Sequence, residues 1–188
     1  MSNYIIILFF TLLFSEYEKI PNHFLKDLNK NKRSISEFIE SGPVAINFWF
    51  LACDPCKKEM LYLSDFNLKY SKYGFKVLSI NTDNSRTINR VKPFVKSQKY
   101  SFEILSDPKS LFFRKTGGQI CPYLLLVDAD GNIINKHMGY NPGDEIKLEK
   151  EIVELLLPRI KSDTTLVDTS IIKILEEIAE KENKIIEE

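Results

Sequence analysis

Cys53 and Cys56 are separated by two residues and stand where one kind of sequence gives way to another. The stretch VAINFWFLACDPCKKEM, Val44 to Met60, opens as an apolar run rich in β-formers and closes in helix-forming residues. A dithiol at that junction suits disulfide exchange. The attacking species is the thiolate, and a helix N-terminus offers partial positive charge and free N–H groups to stabilise it. Cys53 is therefore the candidate nucleophile. Cys56, one helical turn on, is the candidate resolving thiol. Asp54 reads as the helix cap and Pro55 as the first helical residue. A pair of cysteines that only packs, or half of a zinc site, would show the same spacing, and the strand-to-helix context is what favours redox chemistry.

Further candidates follow from position. Glu59, three residues after Cys56, shares its helix face, although spacing alone favours a solvated glutamate beside Lys57 and Lys58. Asn47, six residues before Cys53 on an alternating strand, points into the core beneath the dithiol. Cys121, the odd cysteine of the three, precedes Pro122, and an X-Pro bond at a loop-to-strand junction can be cis.

The elements that must hold these residues are legible along the chain. Two short segments flanking Asn29-Lys30-Asn31-Lys32 predict a hairpin that pads the edge of a sheet, followed by a short helix near Glu37 to Glu40. Gly42-Pro43 breaks the chain before the central strand. Met60, Leu63, Phe66 and Tyr70 at helical spacing carry the dithiol helix to about Tyr73, with Gly74 ending it. Phe75 to Ile80 reads as a strand, and Asn81 to Ser85 as a polar loop. The next helix includes Pro93, so it kinks there or its regular part begins near Lys92. Phe102 to Leu105 reads as an edge strand, and Asp107-Pro108 opens a helix to Phe113. Tyr123 to Val127 and Ile133 to Lys136 form an antiparallel pair around the Asp128 to Asn132 turn, which lacks the later ligands of a calcium loop. His137 has no second histidine nearby and reads as a strand-end residue. Asp144 to Leu157 is a helix stopped at Pro158, and 171–188 predicts an amphipathic helix with Ile174, Leu175 and Ile178 on one face.

Lysine plus arginine equals aspartate plus glutamate at 26 each, so charge points to no nucleic acid or other polyanion. With 44% apolar residues in 188, the chain can bury one good core. The apolar runs Ile5 to Phe10 and Leu12 to Phe14 are shorter than the roughly 20 residues of a spanning helix and suit a signal-peptide core. No lysine or arginine precedes them, and Ser15 with Leu13 makes a poor cleavage site, so residues 1–15 read as a signal peptide or an uncleaved membrane anchor. The expected organisation is then 1–15, a globular domain over 20–158, and a helical extension over 159–188.

The residues Asn47-Phe48-Trp49, Cys53 to Met60, Lys92-Pro93-Phe94-Val95, Cys121-Pro122 and Leu126 to Asn132 together resemble the thioredoxin-like thiol-disulfide oxidoreductases of the bacterial cell envelope, the TlpA/ResA group. The resemblance covers roughly Ile20 to Leu157. One departure is Ala52, where the group usually has an aromatic. The implied fold is α/β: a central mixed sheet with helices on both faces, an N-terminal hairpin and a C-terminal helical extension. Resemblance also implies that Glu59 is partly buried beside the dithiol with a raised pKa. It places the Cys121-Pro122 loop against the dithiol, offering backbone pairing to substrate. Cys53 and Cys56 are then expected to pair in the oxidised form while Cys121 stays a thiol. The implied activity is reduction of disulfides in exported proteins outside the cytoplasm, apocytochrome c cysteines among the candidates, with recharging by a membrane electron donor and no cofactor. Two alternatives compete. A soft-metal carrier would need Cys53, Cys56 and Cys121 on one Cu(I) or zinc ion. A peroxiredoxin-like enzyme would need a Thr or Ser and a Pro where this chain has Phe50 and Ile46.

Overall fold

The computed structural model describes residues 17–162 and 172–180. The first fifteen residues, and with them the signal or anchor reading, lie outside the described residues, as do 163–171 and 181–188. Among the described residues no helix is long and apolar enough to cross a membrane.

Among the described residues seven strands form one sheet: β1 (Phe24–Asp27), β2 (Lys32–Ser34), β3 (Val44–Trp49), β4 (Lys76–Asn81), β5 (Glu103–Ser106), β6 (Tyr123–Val127) and β7 (Ile133–Met138), in the order β2-β1-β5-β4-β3-β6-β7. β3 is buried along its whole length, parallel to β4 and antiparallel to β6. A strand covered on both faces reads as a continuous apolar run, which explains the Val44 to Trp49 signature. Its alternate residues feed two cores. Val44, Ile46 and Phe48 join Phe38, Leu78, Ile80, Leu105 and Phe112, while Ala45 joins Val77, Leu124 and Leu126 under the helices of the opposite face.

The helix carrying the dithiol, α2, spans Asp54–Tyr70 and buries Cys56, Glu59, Met60, Leu63, Phe66 and Tyr70. Steps of three and four residues make this one stripe, and each fully buried Leu, Met or Phe in it stabilises the fold by about 1.5–3 kcal/mol. A 3-10 turn (Ser71–Tyr73) follows, and Gly74 ends it at φ +83°, a left-handed conformation that glycine adopts without a Cβ penalty. The remaining helices are α1 (Ser36–Ile39), α3 (Val91–Gln98), α4 (Leu111–Lys115), α5 (Asp144–Ser162) and α6 (172–180).

Three expectations are corrected. β5 is not an edge strand, because the β1–β2 hairpin pairs onto it from outside through Lys26–Ser106 and Asp27–Leu105. α4 starts at Leu111 rather than at Asp107, because Asp107 instead caps it, accepting from Leu111 N (2.9 Å) and Phe113 N (3.0 Å). α3, by contrast, follows the second of its two expected readings: its regular part begins at Val91, beside Lys92, which puts Pro93 in the first turn, where a missing N–H is harmless. Lastly, Pro158 does not stop α5. An interior proline costs a helix about 3 kcal/mol, but Ile160, one turn beyond the buried Leu156, is itself buried in the core. Arg159 also stacks its guanidinium on Gly74, where a Cβ would lie 2.9 Å from its Cζ. These tertiary contacts carry the helix past the proline. α6 then packs Ile174 and Ile178 into the same core as α2 and α5.

Candidate functional site

The polypeptide leaves β3 at Trp49 and turns into α2 within four residues, and the turn is tied from three sides. Cys53 N donates to Phe50 O (3.0 Å). Leu51 N donates to Asp83 Oδ2 (2.7 Å), an oxygen that also receives Asn81 Nδ2 (2.9 Å). Thr82 reaches Trp49 O twice, through its backbone N (2.8 Å) and its Oγ1 (3.1 Å). The loop after β4, read from sequence only as polar, is thus the clamp that fixes the dithiol turn. The signal was a short-side-chain Asn-Thr-Asp run directly after a strand, the composition of an Asx turn.

Cys53 itself is the N-cap of α2. It holds an extended conformation and its Sγ accepts from Cys56 N (3.2 Å). Asp54 and Pro55 are therefore the first and second helical residues, one position later than expected, and Asp54 pairs with Lys57 Nζ (2.8 Å) in place of capping. The Lys57 ammonium holds the exposed Asp54 carboxyl below its ordinary range. Cys53 and Cys56 form a disulfide with Cα atoms 5.3 Å apart. The pair sits in a small core with Trp49, Met60, Val91 and Ile104, and Trp49 leans on Phe94 with ring centroids 5.7 Å apart.

Glu59 lies one turn further along α2 and is 5% exposed, so the solvated alternative does not apply. Burial, with the Asp144 charge in support, pushes its carboxyl up to about 8. Its Oε2 has no hydrogen-bond partner among the described residues. On β3, the buried Asn47 and its register partner Ser79 on β4 also carry side-chain polar atoms without partners among the described residues.

Cys121 is a free thiol that packs against the dithiol core, so the structure brings the third cysteine to the pair without bonding it. Burial pushes its thiol up to about 11, against a hydrogen bond to Thr82 that favours the thiolate and with the Glu59 charge opposing it. The Cys121–Pro122 peptide is cis, and Pro122 O accepts from Gly139 N (2.8 Å) at the end of β7. His137 is paired with Glu151 (2.7 Å). Among the described residues no three His, Cys, Asp or Glu side chains are gathered to hold a metal. The position of the peroxiredoxin Thr or Ser is a 37%-exposed Phe50 ring, and Ile46 is fully buried in the core.

A family comparison decides the identity. The model of the Redoxin family matches residues 16–154. The chain belongs to the Redoxin family. Within it, the chain is 30% identical over 140 residues to the thiol-disulfide oxidoreductase ResA of Bacillus cereus, covering 71% of this chain and 79% of that protein. It is 27% identical over 125 residues to the ResA of Bacillus subtilis, covering 66% and 68%. In structure this Redoxin domain resembles a DsbE thiol:disulfide interchange protein from Chlorobium tepidum, with TM-score 0.69, 26% identity and coverage of 74% and 96%. It shares the fold of StoA from Bacillus subtilis, with TM-score 0.57, 23% identity and coverage of 69% and 96%. This Redoxin chain is a thiol-disulfide oxidoreductase of thioredoxin-like fold, and the metal-carrier and peroxidase alternatives are not favoured.

Proposed function

We propose that this oxidoreductase works in the reducing direction on disulfides of exported proteins, outside the cytoplasm, with Cys53 as nucleophile and Cys56 as resolving thiol. The observation that carries the assignment of roles is the cap geometry: Cys53 Sγ, at the start of α2, already accepts the Cys56 N–H, an arrangement that favours a thiolate there. In the reduced protein the Cys53 thiolate attacks a substrate disulfide. A bond forms between Cys53 and one substrate sulfur, and the other substrate sulfur leaves as a thiolate. Cys56, deprotonated, then attacks Cys53 Sγ, which forms the intramolecular disulfide and releases the second substrate thiol. Two electrons pass to the substrate, and a second thiol donor, which we place at the membrane, must return them. Glu59 takes up the Cys56 proton and supplies a proton to a departing thiolate. Its proton affinity near that of a free thiol, about 8.5, makes transfer in either direction nearly even. Cys121, packed beside the dithiol, and the adjoining Pro122 face the bound substrate. The apolar segment 1–15 supports export, as a cleaved signal or a retained anchor.

The test is a substitution pair. Cys53→Ser should abolish insulin reduction and Cys56→Ser should accumulate a mixed disulfide with substrate through Cys53. Equal residual activity in the two variants refutes the assignment, and fractionation that finds the full-length chain wholly in the cytosol refutes export.

A further inference from the structure

The pairing of β1 with β5 ends at Lys26–Ser106, and beyond that point the two chain segments part. Asp107 turns inward, donating its N–H to Asn81 O (2.8 Å) and capping α4 with its carboxylate, while β1 runs out on the other side to Phe24. Between them lies an open groove of about 400 Å³. Two large apolar side chains in its lining stand largely bare to solvent, Phe24 at 55% and Leu111 at 51% exposure.

The free charge of this lining has one sign. Lys26, Lys32 and Lys109 are all exposed, and among the described residues none of the three is in an ion pair. Lys32 Nζ rests instead over the Phe24 ring, 4.0 Å from its centroid. The acid of the lining, Asp107, is 2% exposed and taken up by two backbone donors of α4. In a chain whose 26 cations match 26 anions, such a groove is a local departure from balance. Exposed apolar surface rimmed by charge is the composition of an interaction site.

Its place in the sheet ties it to the dithiol. Trp49, Asn81, Ser106 and Lys26 are successive Cα partners in one row across β3, β4, β5 and β1. Trp49 closes the strand that delivers Cys53, and Ser106 and Lys26 open the groove. β3 and β1 are three strand spacings apart, about 14 Å. About four or five extended residues cover that span, so one polypeptide can touch both places.

We propose that this groove is a second docking site for the substrate polypeptide: it takes an apolar side chain between Phe24 and Leu111 while flanking carboxylates pair with Lys26, Lys32 and Lys109. The proposal rests on exchange at Cys53 with a disulfide that a polypeptide carries. It gives that substrate a chemistry, an acidic segment with an apolar anchor joined to its cysteine by a short extended stretch. A groove between two chain segments, in register with the dithiol strand, suits a polypeptide better than a flat lipid surface. Exposed ion pairs hold weakly; the lysines select the sign of charge and speed encounter, and the apolar anchor fixes the segment.

Two measurements on the full-length protein test this. In the first, a cysteine-free peptide with one phenylalanine flanked by glutamates is titrated into the oxidised protein and followed by backbone amide NMR. Shifts should concentrate at Phe24, Leu25, Lys32 and Leu111, and should weaken in about 0.5 M salt and in the triple variant Lys26→Gln, Lys32→Gln, Lys109→Gln. In the second, single-turnover reduction by the pre-reduced protein compares a disulfide peptide bearing that acidic segment on a flexible arm of about ten residues with the same disulfide without the arm. The triple variant should raise the half-saturating concentration of the armed substrate about tenfold, keep its limiting rate within about twofold, and leave the armless substrate unchanged. Phe24→Ser, at an exposed position, should raise the same concentration by removing the apolar wall. Equal half-saturation for armed and armless substrates in the wild type, or amide shifts away from the groove, overturns the proposal. So does binding of phosphatidylglycerol vesicles through the three lysines with no response to the peptide, which would make the groove a lipid contact. Failure of the wild type on the armless substrate would refute the exchange reading and the docking role with it, and is told apart from failure of the groove because no arm is involved.

Discussion

Replacing Glu59 by glutamine should move stability in favour of the variant as pH rises. A carboxyl whose pKa rises from 4.5 to about 8 on folding binds its proton more tightly in the folded than in the unfolded chain. Between those two values the folded state carries the extra proton, so wild-type stability falls as pH rises. The penalty is absent below about pH 4, grows at about 1.4 kcal/mol per pH unit through the window, and levels off above pH 8. The shift of 3.5 units (8 minus 4.5) sets its ceiling at about 5 kcal/mol. Glu59→Gln has no such titration. Its amide inherits the unsatisfied position of Oε2, a pH-independent cost of about 1–3 kcal/mol. The difference between variant and wild type should therefore change by about 4 kcal/mol in favour of the variant from pH 5 to pH 9. Urea unfolding of both oxidised proteins at pH 5, 7 and 9 reads this directly. A difference that stays constant across the three values would show that Glu59 ionises as freely in the folded state as in the unfolded one, and would refute the argument.

Other expectations are simpler to check. Asp83→Ala removes the acceptor of Leu51 N and Asn81 Nδ2; it should lower stability by about 2–4 kcal/mol and slow exchange, with Asp83→Asn recovering most of both, whereas full activity in the alanine variant would show that the turn needs no clamp. Ile178→Ala truncates a side chain of α6 that is 2% exposed and should cost about 2–4 kcal/mol in thermal or urea unfolding; a loss below about 1 kcal/mol would mean that α6 contributes little to the fold. With its thiol pushed from 9.0 to about 11, Cys121 should be alkylated at pH 8 about 100-fold more slowly in the folded oxidised protein than in urea. Peptide mapping of that protein should show a Cys53–Cys56 bridge, and a dominant Cys53–Cys121 bridge would contradict it.

What the sequence disclosed and what it withheld divide along the range of the interactions. The strand-to-helix delivery of Cys53 and Cys56 rests on neighbours in the chain, and so did the hairpin around Asn29 to Lys32, the α2 stripe and the β6–β7 pair. Glu59 was legible only by resemblance, because its burial depends on β7 and α5 folding over it, which no helical spacing reveals. Asp83 went unread because its partner Leu51 lies 32 residues away. β5 looked like an edge because the pairing of Lys26 with Ser106 is invisible to local pattern. Pro158 was read as a stop by its local rule, and Ile160 and Arg159 overrode that rule from the core side. The capping error at Asp54 has another source: thiols are not usual N-caps, and here the cysteine sulfur takes the place of a hydroxyl or carboxylate oxygen.

The hairpin on the outer side of β5 also decides what the sheet offers at its margins. An oxidoreductase that acts on protein disulfides meets extended polypeptide, whose unpaired backbone can pair with any free sheet edge. Here one margin is β2, only three residues long, with Arg33 gripped by Glu37 (2.7 Å) and Glu103 (2.5 Å). At the other margin, Glu18 and Lys19 run beside the start of β7, with Ile133 N donating to Glu18 O (2.8 Å) and Lys19 bridged to Asn132, while Lys136 and His137 put polar side chains further along the strand. Both margins are poor templates for a visiting strand. A polypeptide brought to the dithiol thus finds no ready sheet edge to extend at either margin.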